Sequence, residues 1–325
     1  MIKPSVLRQQ AGDVLDKIPY DPKKLVLLHT VIALGSSLLI SLLSYLLDGQ
    51  IADTGGLGGL GMRSILSTMQ TVLELVVLVV LPFWDIGIIF ASLRWAKGES
   101  ATPPNLLQGF RRFSAVLGAN LLQALLYFAI FFALAYICMT IYIMTPMGEN
   151  LIALLEPIVQ PQLSTSEMEA MMTPEFISAF NKACTPIFII IGILWVLAAI
   201  PVFYRLRFAH LSVMDGHGPL TSLLQSNQRT RHHCFWIFKL DLHFWRFYLL
   251  LFLCLLISYG DTVCRLLGVT LPFSRDVAFF LFFGIGALCQ GLLLWRYQAP
   301  VLTAYALAYL HGPYPPSEET VTSEA

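Results

Sequence analysis

The chain has 325 residues, of which 57% are hydrophobic and only 12% are charged, and its formal net charge is zero. Soluble domains carry about 25% charged residues, so this composition excludes a soluble globular protein and predicts a polytopic membrane protein. The balanced charge gives no indication of a nucleic-acid partner.

Six apolar stretches are long enough to cross a bilayer, for which a helix needs about 20 residues. The N-terminal segment lacks the short apolar core and small-residue cleavage site of a signal peptide, so we expect the first stretch to remain as a span. The predicted spans cover residues 25–47, 69–93, 114–144, 186–209, 244–260 and 277–299. The fold class predicted is therefore an all-α bundle of six transmembrane helices.

The distribution of Lys and Arg predicts the orientation of these spans. Sixteen of the 20 basic residues lie in the N-terminal segment, the second and fourth connections and the tail, and four lie in the other connections. Because positive charge is retained on the cytoplasmic side, both termini are predicted to be cytoplasmic.

Two of the outer connections contain local motifs. GLGGLG, at Gly56–Gly61, has the spacing of a phosphate-binding loop, but no strand precedes it, so a flexible linker is the favoured interpretation. The third connection, at 146–185, is acidic and is expected to form two short helices. The second is predicted to open with STSE (164–167), a capping box, and TPEF (173–176) is a further predicted start, with Pro174 at a first helical position.

A threefold internal repeat is the most informative pattern. The even-numbered spans share a proline followed seven or eight residues later by an apolar residue and Ala-x-Leu, in LPFWDIGIIFASL (81–93), IPVFYRLRFAHL (200–211) and APVLTAYALAYL (299–310). An amphipathic segment precedes each odd-numbered span, at 6–15, 106–117 and 223–238. The alternative is that there is no repeat, and that any span running toward the cytoplasm ends in proline and aromatic residues at the membrane interface.

The repeat predicts three hairpins with cytoplasmic amphipathic helices around a pseudo-threefold axis. The hairpins would span residues 1–98, 99–217 and 218–311 of a single membrane domain covering 1–311, and 312–325 would form a disordered cytoplasmic tail.

Several segments resemble a bacterial family of multipass membrane proteins, the domain-of-unknown-function 975 family. The matching segments are GFRRF (109–113), the end of the fourth span after Pro201, Ser226, FKLDLHFWRF (238–247) and the tyrosines Tyr305 and Tyr309. The chain departs from the family pattern in lacking a glycine after Pro201 and in having Arg231, His232 and His233 where lysine-glycine is common. The resemblance implies a multipass architecture in a bacterial cytoplasmic membrane and brings no catalytic residues with it.

Four polar residues are candidates for a polar axis: Asp85, Arg205, Thr303 and Glu74. Asp85, Arg205 and Thr303 follow the repeated prolines by three or four residues, which would group them and allow an Asp85–Arg205 ion pair. The alternative places Glu74 and Asp85 at opposite membrane interfaces, where each is hydrated. Arg207 is expected only to mark the cytoplasmic boundary.

The remaining candidate metal and thiol sites have simpler explanations in lipid contact and apolar packing. The fourth connection is basic and rich in histidine, which favours contact with anionic lipid headgroups over a metal site because adjacent histidines on a helix point about 100° apart. The predicted headgroup contacts are Arg111, Arg112, Arg229, Arg231, His232 and His233. The six cysteines form no CxxC pair and are expected to pack in apolar surroundings, with a Cys184–Cys264 bond as a minor alternative.

We therefore expect no catalytic residues, metal or cofactor. The leading hypothesis is a non-enzymatic accessory or scaffold protein whose partners are the lipid bilayer and anionic headgroups, with a protein partner or a homo-oligomer left open. The alternatives are a small-solute or lipid permease with a polar axis and a membrane-embedded enzyme acting on lipid headgroups.

Overall fold

The computed structural model describes residues 2–53, 59–156, 173–266, 268, 272 and 274–312. Within these residues the regular structure is helical, without strands, so the predicted all-α fold is confirmed. The helices are α1 (Pro4–Lys17), α2 (Pro22–Asp53), α3 (Gly59–Ala96), a 3₁₀ helix (Pro103–Leu107), α4 (Gln108–Arg111), α5 (Phe113–Ile143), α6 (Pro146–Leu155), α7 (Pro174–Arg205), α8 (Ala209–Met214), α9 (Pro219–Thr230), α10 (Cys234–His243), α11 (Trp245–Ser258), α12 (Gly260–Leu266) and α13 (Arg275–His311).

Among the described residues, five stretches are helical and apolar enough to cross a membrane, and a sixth is added if α10 and α11 count as one broken span. The protein is therefore a polytopic helical membrane protein. The helices extend beyond the predicted spans: α2 begins at Pro22 rather than residue 25, and α13 continues to His311. Leucine-rich helices with few charges tolerate such extensions because backbone hydrogen bonds continue while the sequence offers no stop signal.

The fifth span is bent. α10 and α11 meet at Phe244 with an angle of 72° between them, so the apolar segment begins at Cys234, ten residues before the predicted start. The turn at Phe244 is closed by its own backbone N–H, which bonds the Asp241 carbonyl at 2.8 Å.

The fourth span also differs from the prediction. Thr173 caps α7 by accepting a hydrogen bond from the Phe176 N–H at 3.2 Å, and Pro174 occupies the first turn as predicted. The helix then continues through Pro186 to Arg205 instead of restarting at residue 186. The STSE segment lies outside the described residues, and Gly59–Gly61 of GLGGLG begin α3, so that half of the motif is helix rather than linker.

The chain divides into two compact units, Met1–Ala119 with Arg207–Ala325 and Asn120–Leu206. The second unit has a core built from α5, α6 and α7, in which the Tyr142 hydroxyl donates to the Ala183 carbonyl. Its buried residues are Cys138, Tyr142, Leu151, Cys184, Ile187 and Ile191.

The first unit contains a densely packed region that we call the hub. It consists of the ends of α3 and α13 (Phe83–Ala96 and Ala299–Tyr309) together with α1, the 3₁₀ helix, α4, α8, α9 and α10. Both ends of the chain contribute to it, since the Trp236 indole donates to the Ile2 carbonyl at 3.0 Å and Arg229 donates to the Tyr309 carbonyl of α13 at 3.2 Å. The two described ends of the chain therefore lie at the same end of the first unit.

The short helices pack in a regular order in the hub. The 3₁₀ helix and α4 pack on the end of α3, α9 packs on α8, and α1 packs on α13. Each amphipathic segment thus contacts the end of the preceding proline-containing span, with α1 contacting the last. Ala91, Ala209 and Ala308, the alanines of the three Ala-x-Leu motifs, are all fully buried. This order is the one that a cyclic threefold repeat requires, and the repeat itself stays a prediction.

Candidate functional site

Asp85 lies at the edge of the hub and not in its interior. Its side chain is 60% exposed, and its Oδ1 atom lies 3.2 Å from Nε2 of His29, whose side chain is only 5% exposed. His29 is held by Trp84, which stacks on the imidazole at 5.9 Å and donates its indole N–H to the His29 carbonyl at 3.2 Å. The imidazole and carboxylate are close but are not aligned as a hydrogen bond. The described neighbour of Asp85 is therefore a histidine of α2.

The other members of the predicted polar axis have different environments. Thr303 is fully buried in α13, and its hydroxyl has no hydrogen-bond partner in the described protein. Arg205 ends α7 and belongs to the second unit, so its pairing with Asp85 stays a prediction. Glu74 lies within α3, and its side chain is outside the described residues.

The hub contains a first polar cluster around Tyr305. The Arg207 guanidinium lies over the Tyr305 ring at 4.3 Å and reaches Oδ1 of Asp241 at 3.9 Å. The Tyr248 hydroxyl donates to the same Asp241 oxygen at 2.9 Å and lies 3.3 Å from the Tyr305 hydroxyl. Arg207, which the sequence placed only at a membrane boundary, is therefore stacked and paired within the protein.

A second cluster repeats this arrangement one helical turn further along α13. The Arg229 guanidinium lies over the Tyr309 ring at 4.5 Å and donates to the Tyr309 carbonyl at 3.2 Å. The Tyr309 hydroxyl donates to Asp215 at 3.3 Å, and Lys97 pairs with the other oxygen of Asp215 at 2.8 Å. In each cluster the arginine, tyrosine and aspartate satisfy one another, which stabilises the packing of α13 in the hub.

A cavity of about 130 Å³ lies beside the first cluster. Its polar lining comes from Ser92, Arg207, His210 and Tyr305. A cavity of this size can hold a few water molecules or a small anion.

The predicted headgroup contacts fall into two groups, residues that bind within the hub and residues that are exposed at its surface. Arg112 donates to the Val213 carbonyl at 2.7 Å, and Arg229 stacks on Tyr309, so both guanidinium groups bind within the hub. Arg111, Arg231 and His232 are exposed, and His233 is half-buried. The exposed residues occupy the ends of α4 and α9, at the surface of the hub.

The sequence left open a metal site and a Cys184–Cys264 bond, and the structure bears on both. Within the described residues no group of three or more His, Cys, Asp or Glu side chains is arranged to hold a metal ion. All six cysteines are free thiols, including Cys184 and Cys264.

The residues that complete these clusters were not recognisable in the sequence. His29 lies far along the chain from Asp85, and Asp215 lies far from Tyr309. Asp241 and Tyr248 are only seven residues apart, but their partners Arg207 and Tyr305 are distant in the sequence. Only the position of Asp241 and Tyr248 close to the apolar, aromatic 234–247 stretch indicated an interface.

No protein family, curated protein or solved structure matches this chain. The resemblance to the domain-of-unknown-function 975 family therefore stays an expectation, and the functional argument depends on the fold and the hub alone.

Proposed function

We propose that this protein is a non-enzymatic scaffold or accessory protein of the bacterial cytoplasmic membrane, whose hub faces the cytoplasm and gathers anionic lipid headgroups. The observation that carries the proposal is that the basic residues fall into two groups. Some bind other residues inside the hub, whereas Arg111, Arg231 and His232 are exposed at its surface. Basic residues near an anionic leaflet contribute about 1 kcal/mol each to lipid attraction.

The packing of the hub supports a scaffold more than a transport pathway. Along α13, Ala304, Ala306 and Ala308 are fully buried, and Tyr305 and Tyr309 are nearly so. Small side chains allow the helices of the first unit to approach closely, which gives a rigid packed core rather than a channel lining. Asp85 and Thr303 also occupy different environments, one exposed and one buried, and do not line one common polar surface.

A permease is the second candidate, and the cavity beside Tyr305 is the observation that favours it. The Arg207 side chain would attract a small anion there. An enzyme acting on headgroups is the third candidate, but the polar groups described in the hub are engaged with one another rather than converging on a reactive centre.

Quenching of tryptophan fluorescence by brominated phospholipids tests the proposal. The protein is reconstituted in phosphatidylcholine containing graded amounts of brominated phosphatidylglycerol, and quenching gives the relative affinity for the anionic lipid. Trp245, next to the α10–α11 bend and 53% exposed, is among the reporters. We expect a several-fold preference for the anionic lipid, which the combined substitutions Arg111→Ala, Arg231→Ala and His232→Ala reduce to about unity.

Lys182→Ala is the matched control, because Lys182 is an exposed cation of α7 in the second unit. This variant should keep the preference of the wild-type protein. Equal affinity of the wild-type protein for both lipids, or an equal loss in the Lys182 variant, would contradict the proposal.

A further inference from the structure

A charged pocket opens to solvent at the surface of the hub. It lies where α1, the start of α2, the α10–α11 bend and α13 meet. Its volume is about 340 Å³, and its charged residues are Arg8, Asp16, Asp21, Lys23 and Arg296. Three cations and two acids thus face a single opening.

Two of the five charged residues are used by the protein. Arg8 donates to the His243 carbonyl at 3.1 Å and lies over the Phe244 ring at 5.8 Å, which ties α1 to the α10–α11 bend. Asp21 accepts from the Lys23 N–H at 2.9 Å and so caps the first turn of α2. Both groups are fixed in place and form walls of the pocket.

The remaining three charged side chains are not used in this way. Lys23, Arg296 and Asp16 make no ion pair or side-chain hydrogen bond with another described residue. Two cations and one carboxylate are therefore available to a ligand, and they match a ligand that carries a phosphate and an ammonium group.

An apolar groove lies further along the same two helices. It runs between α2 and α13, has a volume of about 360 Å³, and begins at Leu27, one turn after Lys23. On α13 it includes Trp295, the residue before Arg296. Among its other lining residues are Leu34, Gly35, Leu38, Leu288 and Gly291.

The groove has the length of one acyl chain. Its α2 side extends from Leu27 to Leu38, which is about 16 Å at 1.5 Å per residue and close to half of a bilayer core about 30 Å thick. Trp295 lies at the junction of groove and pocket, where tryptophan commonly marks the membrane interface. A soluble phosphate would use the pocket alone, whereas a phospholipid would use both.

We propose that the pocket and groove together bind one phospholipid with a zwitterionic, primary-amine headgroup. Lys23 and Arg296 bind the phosphate, Asp16 accepts hydrogen bonds from the ammonium group, and one acyl chain lies between α2 and α13. This inference rests on the proposed function that the hub face engages lipid, and it adds one specific site to the general attraction of the basic surface.

The headgroup half of the site is tested by the lipid that the full-length protein retains during purification. Native mass spectrometry of protein isolated in mild detergent and supplied with phosphatidylethanolamine should show one bound lipid. The double variant Lys23→Ala/Arg296→Ala should bind it about tenfold more weakly. The matched control is Lys3→Ala/Lys24→Ala, which removes the same charge from exposed residues outside the pocket and should retain the lipid.

Asp16→Asn tests the role assigned to the carboxylate. A primary ammonium donates hydrogen bonds that a quaternary choline group lacks, so the wild-type protein should prefer phosphatidylethanolamine to phosphatidylcholine. The Asp16 variant should bind both lipids equally. An unchanged preference would show that Asp16 does not contact the headgroup.

Gly35→Leu tests the groove. A Cβ atom at Gly35 meets no atom within 4 Å, so a side chain can begin there without a clash with the backbone. A leucine at this position extends into the groove, and leucine favours a helix over glycine. We expect about tenfold weaker lipid retention. Gly284→Leu is the matched control, since Gly284 lies on α13 outside the groove and a Cβ there also meets no atom within 4 Å.

Four results would overturn the proposal: no lipid retained by the wild-type protein, retention that survives Lys23→Ala/Arg296→Ala, equal loss in the Lys3→Ala/Lys24→Ala control, or displacement by inorganic phosphate without any effect of Gly35→Leu. The last would assign the pocket to a soluble anion. The anionic-lipid preference measured by brominated lipids is independent of these readouts, so the pocket and the scaffold function can fail separately. Unchanged circular dichroism and size-exclusion profiles establish that the variants fold.

Discussion

Tyr248 joins the two sides of the first polar cluster, because its hydroxyl donates to Asp241 and lies beside the Tyr305 hydroxyl. Tyr248→Phe leaves the half-buried Asp241 carboxylate without its closest donor, and we expect a loss of about 1–3 kcal/mol in the free energy of unfolding. The buried free thiols of Cys138, Cys184 and Cys254 allow unfolding to be followed with a thiol-reactive dye. Tyr259→Phe, at an exposed tyrosine, should leave the melting temperature unchanged. Equal melting temperatures for the two variants would remove Tyr248 from the cluster.

Thr303 and Thr230 form a matched pair of fully buried threonines. The Thr230 hydroxyl donates to the Ser226 carbonyl at 2.7 Å, whereas that of Thr303 has no partner in the described protein. Thr303→Val should therefore be neutral or stabilising, while Thr230→Val should cost about 1 kcal/mol, both measured by thermal unfolding in micelles. A marked loss of stability in Thr303→Val would indicate a bound water or ligand at this hydroxyl and would favour the permease.

At the residue scale the sequence identified candidate charged side chains but not their partners. Asp85 was singled out by its distance from a proline, whereas charge counting led us to expect Arg207 only to mark the membrane boundary. Both criteria are local properties of the sequence. The partners His29, Tyr305 and Asp241 come from helices far along the chain, and only the fold brings them together. A single sequence does not contain that information in any local pattern.

At the scale of elements, Gly87 and Gly109 set the distance between α3 and the short helices beside it. A Cβ atom at Gly87 would overlap the Leu106 carbonyl, and one at Gly109 would overlap the Phe83 carbonyl. Gly87→Ala must therefore push α3 away from the 3₁₀ helix, and we expect a loss of about 1–3 kcal/mol or a change in expression level. The measurement is the melting temperature together with the yield of monodisperse protein.

Gly284→Ala provides the comparison for this prediction. A Cβ atom at Gly284 has no neighbour within 4 Å, and alanine favours a helix over glycine by about 1 kcal/mol. This variant should be as stable as the wild-type protein or more stable. Equal stability of Gly87→Ala and Gly284→Ala would show that the close approach at Leu106 is not required.

Apolar periodicity identified the long elements because their hydrophobicity is continuous. It did not identify the bend at Phe244, since the sequence is apolar and aromatic on both sides of it and contains no proline or glycine there. It also placed a helix start at TPEF correctly but separated that helix from the fourth span, which it began at residue 186. Prolines inside membrane helices are tolerated when the surrounding structure compensates the lost hydrogen bond.

At the scale of the whole molecule, the described ends of the chain meet in the hub, and the positive charge lies mainly in the same segments. We therefore expect both termini to be cytoplasmic. C-terminal fusions to green fluorescent protein should be fluorescent, and fusions to alkaline phosphatase at the same point should be inactive. Active phosphatase fusions would reverse the orientation and place the basic surface on the outer side.

The fold class and the presence of several membrane-spanning helices followed from composition and apolar runs, but the packing of the hub did not. The repeated prolines predicted three equivalent ends, and the contacts of α1, α4 and α9 give these ends neighbours in a cyclic order. The function depends on which molecule binds the exposed residues, and neither a sequence pattern nor a matching protein identifies that molecule.

Photo-crosslinking with phospholipids that carry a photoactivatable headgroup tests the central claim most directly, because mass spectrometry then shows where headgroups touch the protein. The scaffold proposal predicts labelled peptides that contain Arg111 and the Arg231–His232 pair at the hub surface. Labelling concentrated on Ser92, His210 and Tyr305, which line the cavity beside the first cluster, would contradict it and would indicate a binding site inside the hub instead.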